Sequence, residues 1–167
     1  MSQQHSHTTT PFTPKQYPIH ILCDGLQSPA NMGALFRIAD AFGVEQIVFC
    51  GAEVLIKSSR LRRTSRNTHE KVPYIQVEDL TPTVVMLAQE GYKVIALEIT
   101  QGSIPIQKLE IIPNQKIALV IGNEKNGISQ KLLELCEKQV HIEMHGENSS
   151  MNVVQATSIA LYALTKF

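Results

Sequence analysis

Apolar residues recur along the chain in short blocks separated by polar loops. IHILCDG (19–25) is a nearly continuous apolar run closed by Gly25 and predicts a buried strand. From Asn31 to Phe42 the apolar positions Leu35, Ile38, Ala39 and Phe42 fall three and four apart, which predicts a helix stopped by Gly43. EQIVFCG (45–51) and VPYIQV (72–77) predict two more strands, and 79–90 a helix ended by Gly91. YKVIALEIT (92–100) and KIALVIGN (116–123) are the most apolar strands, followed by a short helix at SQKLLELC (129–136). QVHIEM (139–144) predicts a last strand and 151–166 a last helix.

Apolar strands alternating with helices predict an α/β fold, a parallel sheet covered on both faces. In such sheets ligands bind outside the carboxyl ends of the strands. The polar loops follow that rule, since DGLQSPANMG, EITQGS, GNEKNGIS and HGENSSMN each begin where an apolar strand ends. The interior of the last helix, VVQATSIALYAL, is uncharged, so it is expected to be buried on nearly all sides, against a second copy of the chain.

At 167 residues the chain suits one domain, expected over 17–167, with 1–16 read as a polar, disordered arm. Cys23, Cys50 and Cys136 are too few and too scattered for a disulfide framework and point to a reducing, cytoplasmic setting. No apolar run approaches the roughly 20 residues of a membrane span, and the N-terminus lacks the pattern of a signal peptide. No membrane partner is expected.

Charge changes this picture. Lys+Arg and Asp+Glu both number 15, yet residues 57–71 (KSSRLRRTSRNTHEK) hold six Lys/Arg and one acid, so this stretch carries +5 and the remainder −5. Ser, Thr and Asn fill the gaps between the cations, the residues that join Arg and Lys on phosphate oxygens. The stretch is therefore read as a polyanion-binding segment.

Three constellations can carry chemistry. Asn31 stands at the predicted helix start, where its amide can cap it, with Gly33 beside it and Arg37 six residues on. Ile121–Ser129 (IGNEKNGIS) is a polar turn between two glycines that fits neither a Walker A loop nor a dinucleotide fingerprint, with Glu124 at its tip. Ile142–Val153 (IEMHGENSSMNV) opens the last helix with Ser and Asn. No nucleophilic triad and no metal-ligand set follows from spacing; His141 and His145 do not share a helical face.

Taken together, N-x-G-x-x-x-R (Asn31, Gly33, Arg37), IGNEKNGIS and IEMHGENSSMNV resemble the TrmH (SpoU) branch of the SPOUT RNA methyltransferases, from about residue 19 to 166. The resemblance implies a C-terminal trefoil knot, a dimer built on the last helix, and transfer of a methyl group from S-adenosyl-L-methionine to a ribose 2′-hydroxyl of RNA. By position it assigns Leu97, Glu98, Thr100, Ile121, Gly122, Asn123, Gly127, Ile142, Met144 and Met151 to the cofactor. It assigns Arg37, Asn31, Glu124, Ser150 and Asn152 to catalysis, with Arg37 at the hydroxyl and the adjoining phosphate, Asn31 and Asn152 orienting Arg37 or the ribose, Glu124 holding Arg37 or Asn31, and Ser150 supporting the ribose or its loop. Arg60, Arg62, Arg63 and Arg66 are assigned to RNA. tRNA is favoured over rRNA, with a D-loop guanosine as the expected nucleotide. Ribosomal RNA and the tRNA wobble position are the alternatives, and a knotted dimer that binds RNA without turnover is the alternative to an enzyme.

Overall fold

The computed structural model describes residues 12–166, and its centre is a seven-stranded sheet in which every pairing is parallel. The strands are β1 (Tyr17–Asp24), β2 (Val44–Cys50), β3 (Tyr74–Val77), β4 (Lys93–Leu97), β5 (Ile104–Pro105), β6 (Ile117–Ile121) and β7 (Lys138–His141). They lie in the order β3-β2-β1-β6-β4-β7-β5, so β7, late in the chain, is inserted between the consecutive strands β4 and β5. The helices are α1 (Pro29–Ala41), α2 (Ser59–Ser65), α3 (Thr81–Gln89), α4 (Gln130–Leu135) and α5 (Val153–Leu164).

Alternation along the strands divides the core in two. Ile19, Ile21 and Cys23 of β1 and Ile117, Leu119 and Ile121 of β6 face one side, under α1, α2 and α5. Leu22, Ala118 and Val120 face the other, under α3 and α4. The expected two-sided burial is present, and β6 is buried at every position.

Every predicted strand and helix is there, but the strands stop earlier than their apolar runs. β4 ends at Leu97, β6 at Ile121 and β7 at His141. The residues beyond turn aside because their polar groups bond one another: Glu98 accepts from the amides of Ile99 and Ile128, and Asn123 and Gly127 exchange backbone hydrogen bonds. Among the described residues, one α-helix and one strand were not predicted. α2 lies within the basic stretch, and β5 is only two residues long. α5 does not bury nearly all its sides within the chain: Val154, Thr157, Ala160, Leu161 and Leu164 are buried, while Ile159 and Tyr162 are exposed.

Of the expected arm, residues 1–11 lie outside the described residues. Residues 12–16 are exposed, and the Lys15 carbonyl lies against Gly43, where a Cβ would meet it at 1.9 Å. Among the described residues no helix is long and apolar enough to cross a membrane.

Phe36 of α1 is fully buried and meets the rings of Phe49, Tyr74 and His69, locking α1 to β2, β3 and the turn after α2. Phe36→Ala is expected to lower the unfolding free energy by about 3–5 kcal/mol, from lost transfer energy plus a cavity. A urea midpoint close to that of the parent chain would contradict this joint role.

Candidate functional site

α1 is capped by Ser28, not by Asn31. The Ser28 hydroxyl accepts from the Asn31 amide at 3.4 Å, and Pro29 occupies the first turn, where its missing N–H costs nothing. Asn31 lies three residues inside the helix, so its side chain is free for longer-range work. Ser-Pro ahead of the apolar period was the signal for this start.

Asn31 joins three loops. Its Nδ2 donates to Glu124 Oε1 at 3.0 Å, and its Oδ1 accepts from Asn152 Nδ2 at 3.2 Å. Glu124 also accepts from the amides of Gln27 and Ser28 (3.3 and 3.1 Å), while Asn152 Oδ1 accepts from the amides of Val154 and Gln155 and so caps α5. An ionised carboxylate only accepts, so it fixes which end of each amide points where. Donation runs from the amides of α5 through Asn152 and Asn31 and ends on Glu124, which the amides of the β1–α1 loop reach from the other side.

Glu124 thus holds Asn31 rather than Arg37. Arg37 is exposed on α1, about 120° around the helix from Asn31, and makes no hydrogen bond or ion pair among the described residues. The third member of the first motif is therefore presented away from the relay.

Beneath the relay opens a cleft of about 510 Å³. Of the residues assigned to catalysis, Glu124, Ser150 and Asn152 line it; of those assigned to the cofactor, Leu97, Glu98, Gly122, Asn123, Gly127, Ile142, Met144 and Met151 do so. Thr100 and Ile121 do not: Thr100 donates its hydroxyl to Gln139 Oε1 at 2.6 Å, and Ile121 is fully buried in β6. Ile99 and Lys125 line the cleft from within the cofactor loops 97–100 and 121–127 that the resemblance implies, and His141, Val153 and Ala156, which sequence reasoning missed, line it as well. Val153 and Ala156 carried a signal, being three apart at the start of the last helix.

The cleft's back wall needs glycine. A Cβ on Gly122 would meet the carbonyl carbon of Gly127 at 2.3 Å and the Ile128 amide nitrogen at 2.5 Å, and Gly127 has φ +66°. Asn123 closes that turn, donating to the Gly25 carbonyl at 2.6 Å and accepting from the amides of Lys125 and Asn126. Glu98 crosses the floor to bond the Ile128 amide at 3.1 Å.

α2 lies directly against α1, with Leu61 and Ser65 buried and Arg60, Arg62, Arg63 and Arg66 all exposed. Arg66 and Asn67 that end it are both left-handed, with φ +49° and +68°. The four cations assigned to RNA thus share one short, rigidly docked element.

The chain matches the SpoU rRNA Methylase family over residues 18–162. It belongs to that family. The 23S rRNA (guanosine(2553)-2′-O)-methyltransferase RlmP of Bacillus subtilis is 31% identical over 144 residues, which cover 86% of this chain and 56% of that protein. The chain therefore spans little more than half the length of this relative. Among solved structures, the TrmH/SpoU tRNA modifying enzyme of A. aeolicus superposes with a TM-score of 0.81 at 25% identity, covering 91% of this chain and 76% of that one. The AdoMet-bound rRNA methyltransferase of Sinorhizobium meliloti has the same fold (TM-score 0.77, 22% identity, 92% and 57% covered).

Burial would raise the pKa of Glu124, but the hydrogen bonds from the Asn31 side chain and from the backbone of residues 27 and 28 outweigh it and hold the carboxyl below its usual range. A lowered carboxylate pKa stabilises the fold above the unfolded value and loses that contribution as pH falls through the folded value. Glu124→Gln is expected to be less stable than the parent at pH 7, the difference shrinking once pH falls below about 4.5. Unfolding midpoints from pH 7 to pH 3 test this, and a constant difference would rule out the ionised relay.

Proposed function

We propose that the chain transfers the methyl group of S-adenosyl-L-methionine to a ribose 2′-hydroxyl of RNA. The observation that carries this reading is the Glu124–Asn31–Asn152 relay, which draws the three family motifs together at the mouth of one cleft. The residues present suit the cofactor. Leu97, Ile142, Met144 and Met151 give apolar walls for an aromatic base, and the volume is within the roughly 300–1,000 Å³ of small-molecule sites. The carboxylates of Glu98 and Glu124 suit a positively charged centre. When bound, the cofactor supplies a methyl group activated on a cationic sulfur.

Such a displacement asks mainly for alignment of the two reacting atoms. In this reading Asn31 and Asn152, each fixed by the relay, orient the ribose, and Ser150 contacts it or supports its loop. Arginine side chains are cationic in proteins, so the role of Arg37 is to bind the phosphate beside the reacting ribose and stabilise negative charge on the oxygen. Arg60, Arg62, Arg63 and Arg66 carry the flanking RNA backbone. Insertion of β7 between β4 and β5 supports a knotted C-terminal segment, and the exposed Ile159 and Tyr162 support a dimer built on α5. Free thiols at Cys23, Cys50 and Cys136 suit a cytoplasmic enzyme.

A D-loop guanosine of tRNA is the proposed target; the likeness to the tRNA modifying enzyme of A. aeolicus supports tRNA as the substrate class. Ribosomal RNA is the second reading, favoured by the 31% identity to a 23S rRNA guanosine methyltransferase.

Labelled S-adenosylmethionine is expected to transfer its methyl to unmodified tRNA and yield 2′-O-methylguanosine after digestion. Label only in rRNA would replace the substrate; none in either RNA, with cofactor still bound, would overturn the enzyme reading. Arg37→Lys, which keeps charge but loses the planar fork, should lower turnover at least tenfold at unchanged cofactor affinity. Arg62→Ala, Arg63→Ala and Arg66→Ala combined should spare cofactor binding and reduce the slope of log K against log salt by about 2, at about 0.7 per lost single-strand phosphate contact. An unchanged slope would put the RNA elsewhere.

A further inference from the structure

The glycine of the first motif does not line the cleft described above. A Cβ on Gly33 would stand 2.1 Å from the Thr64 hydroxyl and 2.3 Å from the Leu61 carbonyl oxygen, and the latter is backbone that no rotamer moves aside. Gly33 therefore lets α2 come against α1 at a distance that no side chain permits. Thr64 secures the approach from the other helix. Its hydroxyl lies 3.0 Å from the Ala30 carbonyl and 3.0 and 3.1 Å from the Arg60 and Leu61 carbonyls of its own helix, so it can tie the two helices at their contact.

Helical period puts Arg37 on the same stripe. It follows Gly33 by four residues and Ala30 by seven, both within about 40° of one line down α1. That line is the side on which α2 is docked. One turn beyond the contact, about 6 Å along the axis, Arg37 is exposed, and Arg60 and Arg63 are exposed on the facing helix, about 40° and 100° round from Thr64 on one side of it.

We propose that the Gly33–Thr64 contact is a positioning joint: it sets the spacing between Arg37 and the arginines of α2, so that one RNA backbone engages both. This rests on the RNA reading given above. Arg37 and α2 then act as one phosphate-binding surface, and the glycine serves the substrate without touching it.

The test uses the full-length chain, with binding of an unmodified tRNA transcript by anisotropy, S-adenosylmethionine binding by calorimetry, and methyl transfer measured separately. Gly33→Ala should weaken RNA binding at least tenfold and leave cofactor affinity within twofold. Thr64→Ser, which keeps the hydroxyl, should match the parent; Thr64→Val, which fills the same space without it, should lose about fivefold. In an Arg60→Ala/Arg63→Ala background the Gly33→Ala change should cost less than twofold more, because the surface it aligns is gone. Parental RNA binding by Gly33→Ala, or a full additional loss in that background, would overturn the joint. If Gly33→Ala also loses the cofactor, the Thr64 pair decides alone, and equal behaviour of Ser and Val overturns the proposal. A parent chain that binds RNA and cofactor but transfers no methyl would overturn the enzyme reading and leave the joint standing.

Discussion

The hydrogen bonds from Asn152 through Asn31 to Glu124 are the constraint on which the cleft depends. Three loops leave the sheet at β1, β6 and β7, and nothing in the apolar core dictates how they sit relative to one another. A single carboxylate at 124, which can only accept, imposes an order: the 27–28 backbone and Asn31 must face it, Asn31 must show its oxygen to Asn152, and Asn152 must turn its own oxygen to the first amides of α5. Each of these bonds is worth only about 0.5–1.5 kcal/mol net. Side chains in the buried core contribute more each, so the core holds the fold and the relay aims the loops.

Two glycines do complementary work behind this arrangement. Gly122 lets the Gly127–Ile128 backbone close within contact of the strand end, which makes the cleft's back wall. Gly33 lets a second helix lie on α1. At Gly122 the partner is main chain, and at Gly33 it is the Leu61 carbonyl together with the Thr64 hydroxyl, so the constraint comes from packing within the protein and not from ligand chemistry. A motif glycine near a binding site is easily taken for a ligand contact. Here one glycine shapes the wall and the other the approach of a neighbouring helix.

The sheet was legible because the apolar runs of β1, β4 and β6 are buried on both faces and admit no other element. The loops were legible as a set, since each began at a strand end. The helix α2 was not. Only Leu61 and Ser65 of its seven residues are buried, too few to show a period among arginines, and its docking depends on the distant Gly33. Strand order was not legible either, because nothing local says that β7 enters between β4 and β5. Of the site, the residues that meet in the relay were named, with Glu124 paired to either Asn31 or Arg37. The cap is Ser28 and not Asn31, because Ser28-Pro29 marks an earlier start than the apolar period alone does. Thr100 and Ile121 were carried along with their loops, yet one turns to Gln139 and the other into the core.

The net charge of zero hides a division that the fold makes spatial. The +5 of residues 57–71 is gathered on α2 and the turn after it, on the outer side of α1. Carboxylates at 98 and 124 instead line the cleft. In the proposed function an RNA backbone is drawn to the first surface, while the cleft, with two carboxylates against Lys125, favours a cationic ligand. At physiological ionic strength the screening length is about 8 Å, so each field acts mainly on what lies against it. Rising salt should then loosen the long polyanion steeply, since it displaces many counterions at once, and barely affect a small ligand held in the cleft. The two surfaces meet at α1, which carries Asn31 toward the cleft and Arg37 toward α2. In the proposed function that helix brings the two binding events into register.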